Sequence, residues 1–206
     1  MDFAPSPRAA DLAARVRAFV RTEIEPVEPG ILQDVAARRA RGEDSWPPPT
    51  VVAELQAKAR SQGLWNLFLP AGRGDGYAAR FGTDGGTGLS NTDYAAVAEE
   101  TGRSPLAPLV FNCNAPDTGN MEVLLRYGSP QQQQEWLEPL LDGRVRSAFL
   151  MTEPGVASSD ATNMEATATL DRDDVVLDGR KWWSTGAGHP DCKVGIFMGL
   201  TDPTAH

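Results

Sequence analysis

Two short blocks near the C-terminal end hold the residues best suited to chemistry. The first, Phe149-Leu-Met-Thr152-Glu-Pro-Gly-Val-Ala-Ser158-Ser159-Asp160, joins hydroxyls and acids to a sharp Pro-Gly turn. The second, Lys181-Trp182-Trp183-Ser184-Thr185-Gly186, adds an indole pair and two more hydroxyls. Such a set suits a planar, polar cofactor: indoles can cover a ring face, hydroxyls can hydrogen bond its edge, and small residues let the backbone approach closely. Neither block is distinctive alone. Thr-Glu-Pro occurs in ordinary turns, a double Trp commonly packs in a core, and serines can cap their own turn.

Other candidates carry less. Glu153 sits inside the first block and is the tempting general base, which must reach within hydrogen-bond distance of the proton it removes. His189 and His206 are the only histidines and the two cysteines have no Cys-x-x-Cys spacing, so no metal site is expected, and His189 reads as a loop residue between a glycine turn and Pro190. Glycine-rich runs at Gly72 to Gly76 and Gly82 to Gly88 invite comparison with phosphate loops. They lack the Lys-Ser/Thr of a P-loop and the strand-to-helix context of a dinucleotide fingerprint, so a mobile surface loop over 71–90 is expected.

Composition narrows the classes further. In 206 residues, 41% of them apolar, there is material for one domain or somewhat more, which excludes disorder throughout. A net charge of −9 argues against nucleic acid or an anionic membrane as partner, because both need a concentrated basic face. Cys113 and Cys192 fit neither a disulfide framework nor a zinc site, and a reducing cytoplasm is the expected compartment. The opening Met1-Asp-Phe-Ala-Pro lacks the positive charge and apolar core of a signal peptide, and no later run is apolar enough for a membrane span.

The elements that must position the two blocks follow from caps and periodicity. Ser6-Pro7 starts a helix carrying Leu12, Val16, Phe19, Val20 and Ile24 and ending before Pro26. An Arg-rich, solvated stretch leads to Pro47 to Thr50 and a second helix with Val52, Leu55 and Ala59, stopping at Gly63. Leu64 to Pro70 reads as a short buried connector. A third helix runs from Asn91 to Gly102, and a fourth follows Pro116 and ends at Tyr127-Gly128. Ser129-Pro130 opens a fifth with Trp136, Leu137, Leu140 and Leu141 as its core stripe, Gln131 to Gln134 forming an exposed first turn. Beyond Arg144 the period changes to two. Val145 to Met151, Met164 to Leu170, Val175 to Leu177, Lys181 to Ser184 and Val194 to Leu200 are strand candidates, with Asp178-Gly179 as a tight hairpin turn. Helices followed by strands, without alternation, argue for α+β rather than a doubly wound sheet.

Taken together, the order and spacing of the two blocks resemble the flavin-binding strands of the acyl-CoA dehydrogenase family. Its middle β-domain carries a Thr-Glu-Pro, small residues, Ser-Asp block and then a Trp-x-Ser/Thr block. Phe111-Asn-Cys-Asn-Ala-Pro-Asp117-Thr-Gly-Asn120-Met-Glu-Val-Leu and Gly186-Ala-Gly-His189-Pro look like the branch whose animal members carry an extra kinase-like domain. The resemblance runs from about residue 10 to the end.

It implies an N-terminal all-α domain over 1–145 and part of an antiparallel, β-barrel-like middle domain over 146–206. It also implies FAD-dependent α,β-dehydrogenation of an acyl-CoA thioester, as in fatty acid β-oxidation. Thr152 would then hydrogen bond the pyrimidine edge of the flavin, beside the backbone of Phe149 to Met151. Trp183 would cover the flavin face away from substrate, Thr185 would donate toward N5, and Ser184 takes a position that is often apolar. Ser158 and Ser159 fall where the family binds the FAD pyrophosphate, Ser159 being carried over as the contact to the substrate's pantetheine arm. The block is one residue longer than in the commonest members, which leaves open which serine meets phosphate. Glu153 matches a structural acid. The family's catalytic base comes from a C-terminal four-helix bundle, so no catalytic residue is nominated here. With the chain stopping at Ala205-His206, the expectation is that the second half, with base and oligomer core, lies outside it, leaving the isolated chain inactive and poorly soluble. An electron-transfer flavoprotein as acceptor and a homo-oligomer, dimer or tetramer, are implied as well. The alternatives are a non-catalytic assembly or acyl-binding subunit, and one chain of a split heteromeric dehydrogenase.

Overall fold

The computed structural model describes residues 3–44, 47–81 and 88–202, so Gly82 to Thr87 of the glycine-rich run and His206 lie outside the described residues. The chain divides into two compact units, residues 1–144 and 145–206.

The first unit is helical. Ser6 caps α1 (Pro7–Phe19), its hydroxyl accepting from Ala9 N–H at 3.2 Å. The helix continues as a π turn over Val20–Ile24, closed by Glu25 N–H donating to Val20 O at 2.9 Å. Pro26 explains the widening: its ring would clash with the carbonyl four residues back, and a π turn relieves that before the helix ends. α2 (Glu28–Ala40) follows where a solvated stretch was expected. Ile31 is the one apolar side chain it buries, so it gives almost no periodic signal. α3 (Thr50–Ser61) buries Val52, Leu55 and Ala59. Leu64 to Leu69 are buried, as a connector through the core must be. The described part of the glycine-rich stretch holds a short helix, α4 (Asp75–Arg80), rather than loop alone.

α5 (Asn91–Thr101), capped by Ser90, packs on α1. The short α6 (Ala107–Val110) and α7 (Asp117–Tyr127) follow. α8 (Pro130–Gln132) opens with a capping box between Ser129 and Gln132, passes through a π turn at Gln133–Leu137, and finishes as α9 (Glu138–Leu141). Pro139 accounts for this second π turn as Pro26 does for the first. Gln133, expected in an exposed turn, instead donates to the carbonyls of Leu124, Leu125 and Gly128 and so closes the end of α7.

Leu12, Val16, Phe19, Leu55, Leu64, Leu67, Val97, Val110 and Phe111 form the core, with Phe19 and Phe111 edge to face at 5.4 Å. A buried amide network locks its far end. Asn112 donates to Asn66 Oδ1 at 2.8 Å and to Leu140 O at 3.0 Å, while Asn66 and Trp65 Nε1 both donate to Leu141 O at 2.8 Å.

The second unit contains four described strands in two pairs. β1 (Arg146–Leu150) pairs with β4 (Cys192–Phe197) in parallel, Phe149 lying opposite Ile196. β2 (Thr167–Asp171) and β3 (Asp174–Asp178) form an antiparallel hairpin. A parallel bridge joins Thr167 to Leu200. The α+β reading therefore holds, with the antiparallel expectation corrected for one strand pair. The β1–β4 pair is parallel, and the described strands do not close into a barrel.

The hairpin turn is Arg172-Asp173, not Asp178-Gly179, because Leu170 pairs with Val175 and Asp171 with Asp174. Arg172 takes the left-handed φ of +58° that such a turn needs. Gly179, at φ +144°, serves another purpose: a Cβ there would lie 2.5 Å from the Ala166 Cβ, so glycine is required for two segments to pass. Lys181 to Ser184 is not a strand, for a reason found in the site itself.

Candidate functional site

The two blocks of the second unit meet around Glu153. Its carboxylate is 5% exposed and accepts from Glu165 N–H at 2.8 Å, Ala166 N–H at 3.0 Å and the Lys181 ammonium at 2.7 Å. Burial pushes this carboxyl up. The hydrogen bond from Lys181, those from the two amides and the Lys181 charge outweigh that and hold it below the usual carboxylate range. A carboxylate so engaged stays ionised and committed, so Glu153 organises the site and is not placed as a proton acceptor.

Lys181 reaches it from the other block and also donates to Met151 O at 3.0 Å. The next residue continues the join, Trp182 N–H donating to Thr152 O at 3.0 Å. The chain then turns sharply. Trp183 takes a φ of +53°, and Thr185 N–H closes back on Trp183 O at 2.9 Å. A bulky residue in the left-handed region costs roughly 1–3 kcal/mol and persists only where its surroundings impose it. Here the tertiary bond to Thr152 on one side and the tight turn on the other impose it, which is why the expected strand does not form.

Of the residues singled out by sequence, Met151, Thr152, Trp183, Ser184 and Thr185 are brought to this junction. Thr152, Met151 and Ser184 are half-buried, and Thr185 is exposed. Trp183 is 77% exposed, its ring 5.5 Å from that of the half-covered Trp182. Phe149 sits within β1, half-buried. The two serines separate in role. Ser158 is buried and its hydroxyl accepts from Glu153 N–H at 2.6 Å, inside its own turn. Ser159 is exposed. Asp160 caps the turn that follows, accepting from Thr162 N–H at 3.0 Å.

Sequence reasoning passed over Lys181 as a site residue and over the cleft beside it. Glu153, Pro154, Gly155, Glu165, Asp178 and Arg180 are among the residues lining this cleft of about 360 Å³. A lysine 28 positions from its acid leaves no local signal.

Elsewhere the chemistry is subdued. Burial pushes the Cys113 thiol up to about 11, which removes it as a nucleophile at neutral pH, and burial with the neighbouring Cys113 raises Tyr94 too. Among the described residues no group of three or more metal-ligating side chains comes together, and no helix is long and apolar enough to cross a membrane.

Comparison with known proteins agrees with this geometry. The model of the acyl-CoA dehydrogenase N-terminal domain matches residues 6–144, and that of the middle domain matches residues 148–206. Acyl-CoA dehydrogenase family member 11 of Rattus norvegicus is 46% identical over 200 residues, which are 97% of this chain and 24% of the relative. A solved Mycobacterium abscessus protein named for the acyl-CoA dehydrogenases is 58% identical with a TM-score of 0.85, covering 98% of this chain and 48% of that one. A glutaryl-CoA dehydrogenase of Mycobacterium smegmatis, solved in complex with FADH2, is 25% identical with a TM-score of 0.66, covering 96% of this chain and 43% of that one. The chain thus spans about a quarter of the curated relative and less than half of the solved ones. It belongs to the acyl-CoA dehydrogenase family, its two matched stretches corresponding to that family's N-terminal and middle domains.

Proposed function

We propose that this chain serves FAD-dependent α,β-dehydrogenation of an acyl-CoA thioester, contributing the N-terminal helical domain and the first flavin-binding strands of the enzyme. The observation that carries the reading is the backbone bond between Trp182 N–H and Thr152 O, which joins the two blocks. Fit to a flavin is supported by Trp183, a large apolar face held 77% exposed on a backbone that resists it. The M. smegmatis relative solved with FADH2 points to the same cofactor.

In this reading Thr152 hydrogen bonds the pyrimidine edge of the ring, beside the backbone of Phe149 to Met151. Trp183 covers one face, Thr185 donates toward N5, and Ser184 lines the turn between them. Ser159, the exposed serine, is the one available to the pyrophosphate or the pantetheine arm, since Ser158 is committed to Glu153 N–H. Bound FAD supplies a hydride acceptor, so that the β-hydrogen of the thioester leaves as hydride while a base takes the α-proton. Glu153 does not supply that base, because its oxygens already accept from three donors. An electron-transfer flavoprotein acceptor, a cytoplasmic setting and assembly as a homo-oligomer belong to the same proposal.

A second reading, one chain of a split heteromeric dehydrogenase, is compatible with the apolar residues of the hairpin, which further polypeptide of the same chain would cover equally well. Leu170, Val175, Val176 and Leu177 are 81, 57, 47 and 53% exposed, a surface suited to further polypeptide.

Purification of the intact protein under native conditions, with absorbance spectra before and after anaerobic addition of acyl-CoA thioesters, tests the main reading. The expected result is a bound FAD spectrum that bleaches with a saturated thioester. Protein that takes up no flavin even from excess FAD would overturn it.

A further inference from the structure

The Lys181 ammonium meets two other segments at once. It donates to Met151 O at 3.0 Å and Glu153 Oε1 at 2.7 Å, and lies 4.9 Å from the centre of the Phe197 ring on β4. Its side chain is 7% exposed and that of Glu153 5%, so the pair is almost wholly withdrawn from water. Replacing a buried ion pair by packed apolar residues is often neutral or stabilising, and stability alone is therefore a weak account of such a pair. Its location suggests a different one. The Trp182 N–H to Thr152 O bond is a single point of attachment between the blocks, about which the 181–185 segment could pivot. Lys181, one residue earlier, adds attachments on either side of Thr152, at Met151 O and at Glu153. Several points fix an orientation where one does not. Trp183 follows directly, in the left-handed conformation that its surroundings must impose.

We propose that Lys181 is the positioning residue of this site: by pinning 151–153 to 181–185 it sets the Trp183 indole relative to Thr152, without itself touching the cofactor. This rests on the flavin reading above. Glu153 is the other half of the device, since it orients the ammonium and ties the whole to the amides of Glu165 and Ala166.

The test uses the intact protein carrying Lys181→Met, Lys181→Arg, Glu153→Gln or, as a control in the helical core, Leu137→Ala. FAD affinity, the vibronic resolution of the bound-flavin spectrum and the melting temperature of the flavin-free form are measured for each. Lys181→Met is expected to weaken FAD binding about tenfold or more, as loss of hydrogen bonds from a charged donor implies, and to blur the flavin band. Lys181→Arg keeps charge and donors and should recover most of the affinity. Leu137→Ala should lower the melting temperature and leave affinity and spectrum alone. If Lys181→Met does not fold, Glu153→Gln carries the test, with weakened binding and a blurred band expected. Wild-type affinity and spectrum in the folded Lys181→Met or Glu153→Gln protein would overturn the proposal, as would an equal loss in Leu137→Ala. A wild-type protein that takes up no flavin would instead remove the reading beneath it, so the two failures are distinguishable.

Discussion

The two units are built on opposite principles. The helical unit buries long apolar side chains from most of its helices, Leu12, Phe19, Leu64, Trp65, Phe111 and Leu137 all being at most 3% exposed. Between Val145 and Asp202, by contrast, the buried apolar residues are Ala148, Met164 and Ala166, while Leu170, Val175, Val176, Leu177, Trp182 and Trp183 are exposed. What stands at the centre there is an ion pair with amides converging on it. The lesson is a division of labour. Dispersed apolar contact makes a stable body but tolerates small shifts, whereas directional hydrogen bonds and a paired charge specify where a few side chains stand.

If that contrast is right, the largest effect of a single truncation belongs to the helical unit. Phe111 is fully buried and packs edge to face on Phe19. Phe111→Ala should cost about 3–5 kcal/mol in urea unfolding, the range for a large aromatic removed from a close-packed core. A cost near 1 kcal/mol would mean that the core is looser than its burial suggests, and the contrast would fail on its stronger side.

Glu153→Gln comes next, at roughly 3 kcal/mol, because it leaves the Lys181 ammonium buried without a counter-charge. The loss should concentrate in the strand unit and appear as faster hydrogen exchange at the Glu165 and Ala166 amides. A pH dependence accompanies it. Glu153 has a folded value below the ordinary 4.5, so its contribution is fully present above that value and disappears as pH falls through the lower one. Acid titration of exchange at those amides should therefore show a loss of protection below about pH 4.5 in the wild type. That acid-dependent part should be absent from Glu153→Gln, and an identical acid profile in both proteins would assign the effect to other carboxylates.

The contrast also explains what could be read from the sequence. Helix starts announced themselves at Ser6-Pro7 and Ser129-Pro130 because cap and proline chemistry is local. α2 was hidden because Ile31 is its one buried apolar residue, and α4 because Gly74 and Gly76 surround its start. The π turns before Pro26 and Pro139 follow from proline sterics and were in principle legible. In the strand unit, alternation gave the existence of β1 to β4 but not their pairing, since register depends on partners distant in the chain. Asp178-Gly179 looked like a turn on local grounds; a register that joins Asp171 to Asp174 moved the turn one strand earlier. Residues of the site were legible as types. Their arrangement was not, because the left-handed Trp183 and the placement of Lys181 against Glu153 are products of tertiary contact.

The smallest effect should come from the most apolar-looking part of the strand unit. Leu170 is 81% exposed beside the hairpin turn, so replacing it removes little surface from the folded core. In the 206-residue chain, Leu170→Ser should change unfolding free energy by less than about 0.5 kcal/mol, while lowering the tendency to aggregate. The same substitution in a longer polypeptide or with a partner chain present sharpens the comparison. A penalty of about 1 kcal/mol or more there, with none in the 206-residue chain, would mean that the hairpin's apolar face is completed from outside these residues. The strand unit would then be half of an apolar core whose polar half already stands in place. A penalty of that size in the 206-residue chain itself would show that Leu170 is covered within it, and the two units would differ in degree rather than in kind.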